Sequence, residues 1–438
     1  MQTHGKEFST MNQKLVSTTR TIFRFRILSL GLSFLLLPTA NAQTQASPAA
    51  PLTLQQVVDI ARAKNPALLA AQQNLLATKA QEVQAGVRQN PYFTLYGSNV
   101  TLPAEGASNP YMYSLQVARL FERGQKRRWR LDSAKSTTEQ TSDLYQDQTR
   151  QILLQVKMAF TNMLLAKAAL QLAKNNLADF QHELNISSER YKTGDLGKLD
   201  YERLDLQMAQ FETDESTAEQ NLVQTSDQLQ TLIGYEKPSD TFDIAGDIVP
   251  PALTSTLPEL EQRALAARPD YQAAQAAVRL ADANVKLAYA NGTTDPTLEG
   301  EYDRSGTYNS AGFYVTIPLR IFDRNQGNKA TSKYQAQAIR FSEIAARNQV
   351  LSDVDQAWVG YTTSKVVSDR YQRHYLDEAK DVLTIAQFAY EHGGLALIDY
   401  LNALQDDRTT SLNALTAYAQ TWIAIHQLSY TTATEITP

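Results

Sequence analysis

The chain of 438 residues contains no cysteine. That excludes disulfides, thiolate zinc sites, iron–sulfur clusters, thiol catalysis and the N-terminal lipidation of bacterial lipoproteins. Proline and glycine are sparse, with 15 and 18 copies. Excess positive charge is also missing: 41 Lys+Arg face 46 Asp+Glu, which argues against nucleic-acid binding through bulk charge. Beyond the N-terminus there is no wholly apolar run of about 20 residues, so a membrane crossing by a helix is not expected. A hydrophobic content of 43% points to a folded chain. By length alone, two or three domains would be expected.

Residues 1–42 read as a secretory signal. Lys14, Arg20, Arg24 and Arg26 form a basic region, Ile27 to Leu37 an apolar core, and Ala40-Asn41-Ala42 a small-x-small cleavage site. A retained anchor is the alternative, but eleven apolar residues are too short to span. Met11 could serve as the start instead of Met1. Without the signal the chain holds 36 basic and 45 acidic residues, a net of −9. Residues 43–51 read as a linker.

What remains is organised by its breakers. No proline occurs between Pro110 and Pro238, or between Pro318 and Pro438. In the first gap glycine stands only at 124, 194, 197 and 234, and in the second at 327, 360, 393 and 394. Two long stretches, each interrupted near the middle by glycine, predict helical hairpins. The arm from Gln125 to Thr193 would be roughly 100 Å long at about 1.5 Å per residue. Val156, Met163, Leu170, Leu177, Leu184 and Tyr191 recur every seventh residue, with Ala159, Ala166, Ala173 and Phe180 three places behind. This is an a/d seam whose small d residues suit close helix packing. Leu376, Leu383 and Tyr390 echo it.

The halves match each other at an offset near 200. Tyr191-Lys-Thr-Gly194-Asp-Leu196-Gly-Lys-Leu199-Asp200-Tyr201 parallels Tyr390-Glu-His-Gly393-Gly-Leu395-Ala-Leu-Ile398-Asp399-Tyr400. Leu120 to Gln125 parallels Ile321 to Gln326, Asn65-Pro66 parallels Arg268-Pro269, and Asn90-Pro91 parallels Asp295-Pro296. Ordered matches of this kind indicate tandem duplication. The first repeat is expected over 52–249, a linker over 250–258 and the second repeat over 259–434. Short helices are expected at Leu54–Lys64 and Leu257–Ala267.

Where prolines cluster, the pattern changes to period two, the signature of strands. Strands are expected near 92–100, 111–121, 297–305 and 311–322. Tyr113, Leu115 and Val117 alternate with Ser114, Gln116 and Ala118, while Leu298, Gly300 and Tyr302 alternate with Glu299, Glu301 and Asp303. Each repeat thus reads helix–strand–strand–helix–tip–helix. A soluble four-stranded sheet packed on helices is one reading. A transmembrane barrel sector is the other, and the secretory signal favours it. Four strands cannot close a pore, so several copies would be needed, and three would supply about twelve strands.

This constellation resembles the TolC family of outer-membrane efflux channels over nearly the whole mature chain, roughly Leu52 to Thr434. The resemblance is carried by Leu52-Thr-Leu-Gln-Gln…Asn65-Pro66, by Arg88-Gln-Asn-Pro91, by Phe121-Glu-Arg-Gly-Gln-Lys126 and by the paired tips. The Asn-Pro and strand-exit segments look most like the subgroup serving heavy-metal pumps of the resistance-nodulation-division type. The resemblance implies a mainly α fold with a small β part. It implies a homotrimer with a twelve-stranded barrel in outer-membrane lipid and a long α-barrel in the periplasm. It also implies a periplasmic adaptor and an inner-membrane pump as partners, with no enzymatic activity, no cofactor and no nucleic acid. A periplasmic coiled-coil scaffold without channel activity and a drug-efflux channel are the alternatives.

The resemblance places the tips, Gly194, Leu196, Leu199, Asp200, Gly393, Leu395 and Ile398, at the adaptor end. Plain hairpin packing is the competing reading for the four apolar residues, and dipole compensation for the two acids. Asp399 matches the first acid of the family's closed aperture. The second falls on Asn402; Asp406 and Asp407 one turn on could restore part of the charge, with a solvated face as the competing reading for them. Glu299, Glu301 and Asp303 share one strand face and are expected in the barrel lumen, because charge facing lipid is costly. His182, His374, His392 and His426 have no metal-ligand spacing.

Overall fold

The computed structural model describes residues 50–98 and 111–436. The expected signal and most of the following linker lie outside those residues, as do the last two positions of the first expected strand. The described chain runs α1 (Leu54–Lys64), α2 (Pro66–Ala85), β1 (Tyr92–Ser98), β2 (Met112–Leu120), α3 (Lys126–Thr193) and α4 (Lys198–Leu232). The same order then returns as α5 (Leu257–Ala267), α6 (Pro269–Asn291), β3 (Thr297–Ser305), β4 (Tyr308–Thr316), α7 (Gln326–Arg370), α8 (Leu376–Glu391) and α9 (Leu397–Thr432). A π-helical turn, Tyr371–Tyr375, joins α7 to α8.

Local chemistry sets these boundaries. Thr53 opens α1 with a capping box: its backbone N–H donates to Gln56 Oε1 at 2.9 Å. The Thr256 N–H donates to Glu259 at 3.1 Å in the same place before α5. Asn65 and Arg268 each precede a proline and take extended backbone, with ψ of 120° and 119°, which ends α1 and α5. At the far end of each hairpin a glycine adopts φ of +87° (Gly194) or +72° (Gly393). The following N–H then donates back five residues, Asp195 to Arg190 O and Gly394 to Ala389 O. These are matched left-handed helix stops.

The second arm departs from the expected pattern. α3 is continuous for 68 residues, whereas the stretch from Gln326 to Glu391 is split by the π turn. β4 also ends at Thr316 rather than near 322, because Pro318 has no N–H to continue a ladder. An 18-residue window of α3 reaches a mean hydropathy of 1.2. Among the described residues, α3 is thus the one helix long and apolar enough to cross a membrane, by length and composition only. Its apolar residues are used internally: Val156, Phe160 and Met163 pack with Val57, Val58 and Ile244 in the first core.

That first core is formed by α1, the start of α2, α3, the end of α4 and residues 233–244. Its counterpart in the second repeat gathers Leu260, Val350, Val354, Ile425 and Leu428. A third core sits at the tips and draws on both repeats: Phe180, Leu196, Leu204 and Phe211 with Tyr390, Leu397 and Tyr400. The four strands form one antiparallel sheet in the order β1-β2-β3-β4. β2 pairs with β3 over nine residues, from Met112↔Ser305 to Leu120↔Thr297, and so joins the repeats.

Candidate functional site

The sheet separates two chemistries by alternation. In register on one face stand Ser114 and Gln116 of β2, Glu299, Glu301 and Asp303 of β3, and Tyr314 of β4. Ser114 Oγ and Gln116 Nε2 each donate to the Glu301 carboxylate at 2.8 Å. The three acids therefore share one face of the sheet, and Glu301 is the one these side chains bond. On the opposite face lie Phe93 and Leu95, Tyr113, Leu115 and Val117, Leu298 and Tyr302, and Phe313 and Val315. All of these are exposed, Phe313 at 77%. Beside β1 and β4 no further strand pairs among the described residues. An apolar sheet face of this size in water is not stable against association.

The strand exits are tied to the helices by charge. Lys126 donates to Asp295 Oδ2 at 2.5 Å and to Thr293 O at 2.8 Å, and the Arg123 N–H donates to Asp295 Oδ1. Arg130 pairs with Glu122 at 2.7 Å and also donates to Ala85 O and Val87 O. Arg127 donates to Gly86 O. The basic first turn of α3, unfavourable for its own dipole, thus serves the negative C-terminal end of α2. Gly124 and Gln125 are both left-handed here, while Asn325 alone turns the chain in the second repeat. Where the sequence alignment pairs Gly124 with Asn325, the helix starts pair Gln125 with Asn325.

At the tips the expected residues divide. Leu199 and Ile398 are exposed, at 62% and 53%. Leu196 is buried and Leu395 half-buried, and both pack in the tip core. Those two positions follow the hairpin-packing alternative. Leu397, which the motif comparison passed over, is buried there too. In each tip the first and last tyrosines of the duplicated motif stack: Tyr191 on Tyr201 at 5.0 Å and Tyr390 on Tyr400 at 5.2 Å. Asp200 and Asp399 lie in the first turns of α4 and α9, with Asp200 half-buried and Asp399 exposed. Asp399, Asn402 and Asp406 are all exposed and lie on one face of α9 by their spacing of three and four.

Between the hairpins Arg408 of α9 pairs with Asp214 of α4 and lies 4.3 Å above the Phe211 ring, which stacks on Phe180 at 4.4 Å. Phe211, Asp214 and Arg408 line part of a groove of about 1160 Å³ between α3, α4 and α9. Nearby, burial and the neighbouring Glu391 raise the Glu183 carboxyl above its ordinary range. Further from the tip, His426 is buried with its Nε2 3.1 Å from Thr161 Oγ1, and burial together with Lys157 pushes its pKa down to about 4. None of these polar contacts was visible in sequence, because each joins residues from different helices.

An antiparallel sheet that is apolar on one face, acidic on the other and open at both edges among the described residues defines a sector of a membrane barrel, carried on two helical hairpins. The sequence matches the profile of the outer membrane efflux protein family over residues 57–235 and 260–431, and the chain belongs to that family. Its place is the outer membrane and its function is efflux, which points to transport rather than catalysis. It is similar to the cobalt-zinc-cadmium resistance protein CzcC of Cupriavidus metallidurans, with 25% identity over 86% of this chain and 88% of that one. It is also similar to the cation efflux system protein CusC of Escherichia coli K12, with 27% identity over 57% of this chain and 56% of that one. The fold is shared with a membrane protein of Pseudomonas aeruginosa at a TM-score of 0.74, with 18% identity and coverage of 86% and 92%. It is shared with a crystal structure of CusC at 0.72, with 19% identity and coverage of 86% and 91%.

Proposed function

We propose that three copies of this chain form the passive outer-membrane duct of a tripartite system exporting heavy-metal cations. The carrying observation is the sheet: four strands with two open edges and an uncovered apolar face, joined to two hairpins of periplasmic length. Open edges are not viable in lipid, so β1 of one copy must pair with β4 of the next. The margins of the chain support such a ring. α4 exposes Leu206 and Val223, and the α7–α8 arm exposes Phe341, Val359, Ile385 and Phe388. Two different apolar margins suit a head-to-tail contact that closes by rotation.

Energy for export then comes from an inner-membrane pump of the resistance-nodulation-division class, reached through a periplasmic adaptor. Leu199 and Ile398, exposed beside the tight glycine reversals, are the apolar contacts offered to the adaptor, with Leu196 and Leu395 holding the tip behind them. Asp399, with Asn402 and Asp406 on the same face of α9, lines the periplasmic aperture. A ring of carboxylates there selects cations. Relatives named for cobalt, zinc, cadmium and other cations support the metal cargo over a drug cargo. Planar-bilayer recording of the purified chain tests the duct: cation-selective conductance is expected, and a detergent-free soluble monomer without conductance overturns it. A deletion strain challenged with cobalt, zinc and cadmium against hydrophobic drugs tests the cargo. Sensitisation to the drugs alone overturns the metal reading.

A further inference from the structure

The outward face of the sheet ends in cations at both rims. Arg119 of β2 pairs in register with Leu298, and Arg304 of β3 with Tyr113, so both point to the apolar side. Along β3 their levels are six residues apart, about 20 Å at roughly 3.4 Å per residue, close to the height of a barrel's apolar band. Arg304 is engaged locally, donating to Gly306 O at 3.2 Å. The rim at the helical end is different. Arg119 lies 5.0 Å above the Phe121 ring and makes no ion pair among the described residues. Two residues beyond that ring is Arg123, and the second repeat repeats the arrangement with Phe322 and Arg324. The side chains of Arg123 and Arg324 are exposed and likewise without an acid among the described residues.

The local acids are otherwise committed. Glu122 is held by Arg130, Asp295 by Lys126, and Asp323 accepts the Asn325 N–H at 2.8 Å. Between these three arginines the apolar surface continues past the strands: Phe121, Leu319 and Phe322 are 42%, 80% and 90% exposed. β2 and β4 end level, since Thr297 pairs with both Leu120 and Thr316. A cation row directly below a lipid-facing surface, interleaved with aromatic rings, fits a phosphodiester headgroup whose acyl chains lie on the strands above.

On the membrane-channel reading, we infer that the paired strand exits, Arg119 with Phe121–Arg123 and Phe322–Arg324, form a binding collar for anionic phospholipid of the periplasmic leaflet. The occupant is a phospholipid and not a soluble phosphate, because the apolar exposure is continuous with the lipid-facing sheet and has no other cover among the described residues. Each arginine contributes about a five-fold preference for anionic over zwitterionic lipid, the size expected of a cation at a charged surface.

The test uses the full chain purified in detergent and titrated with phosphatidylglycerol or phosphatidylcholine, with retained lipid counted by native mass spectrometry. Preferential retention of phosphatidylglycerol is expected. It should fall several-fold in Arg324→Gln and further in the double variant with Arg123→Gln, while Lys192→Gln at the distant tip leaves it unchanged. Arg119→Gln sits in a strand and serves as a second variant, read only where it still inserts. Equal retention of both lipids, or an undiminished preference in the double variant, overturns the collar. Glycerol phosphate competing as well as the whole lipid also overturns it, since that would show an anion site without acyl recognition. Conductance recorded on the same preparations separates the two readings: conducting protein without lipid preference sinks the collar alone, and protein that never inserts sinks the channel reading along with it.

Discussion

The two repeats place the same elements in the same order yet bury them differently. α9 threads between α3, α7 and α8 and hides fourteen residues, while its counterpart α4 hides four and leaves Leu206 80% exposed. α3 is one unbroken helix, whereas its counterpart is divided at Tyr371–Tyr375. Duplication therefore conserves local signals, such as caps, prolines and glycine stops, while each copy adapts its packing to its place. One returning helix is enclosed within the chain. The other forms a margin, and margins are where a second copy can add what the first does not supply.

The comparison breaks most sharply at Asn65 and Arg268, which occupy the same place before a proline. Asn65 accepts from two N–H groups of α2 and donates to Leu232 O at 2.7 Å. Arg268 is instead buried among acids, bound to Asp270 at 2.6 Å and Asp353 at 2.8 Å, with Arg150 3.5 Å from Asp270. Burial opposes the charge of Asp270, but the Arg268 guanidinium outweighs it and holds that carboxyl below its usual range. Arg268→Ala strands those acids and should cost about 3 kcal/mol or more, as expected for breaking a buried pair. Asn65→Ala should cost about 1–2 kcal/mol as a lost cap. Chemical denaturation followed by circular dichroism measures both. Equal losses would show that the two positions are alike after all.

A second asymmetry is His426, whose match in α4 is the exposed Asp227. With a folded pKa near 4 against an ordinary 6.5, the imidazole is held neutral. The unfolded chain then binds the proton first, so stability falls as pH drops from about 6.5 towards 4. The loss approaches about 3 kcal/mol for a shift of this size. In His426→Gln that acid-dependent loss should disappear from the unfolding midpoint measured across pH. If the wild-type profile is flat through that window, the histidine is not buried as described.

The tips should behave alike. An added Cβ at Gly194 or Gly393 meets open space, so only the left-handed backbone resists. Gly194→Ala and Gly393→Ala should each cost about 1–2 kcal/mol, within error of one another, in the same unfolding assay. A much larger loss at one tip would reveal a contact made only in the assembly. Smallest in stability is the pair of first-turn acids. Asp399→Asn should reduce cation selectivity, read as a shift in reversal potential, and Asp200→Asn should not, because Asp200 is half-buried. Identical shifts would remove the distinction between the two tips.

Much of this was legible in the residues. Proline at the start of α2 and α6, glycine at the two reversals and period-two alternation in β3 act within a few residues of one another, and α1, α5 and β3 appear where those signals place them. The repeat order was legible for the same reason, since a duplicated local signal is a duplicated element. Burial at the tips was not. Leu196 and Leu199 are three residues apart in one motif, yet the first is buried and the second exposed, because the opposite hairpin covers only one of them. The π turn in Tyr371–Tyr375 carries no proline or glycine and left no mark.

Apart from the π turn and the bounds of β4, the sequence alone determined the elements, their order, and which strand face is apolar, since backbone propensity, caps and alternation are short-range. Only the tertiary structure decided which helix is enclosed, which acids pair, and that the sheet ends in unpaired edges above an exposed cationic rim. Those outcomes depend on which distant segments meet, and packing across about 200 residues of chain is not written in any one of them.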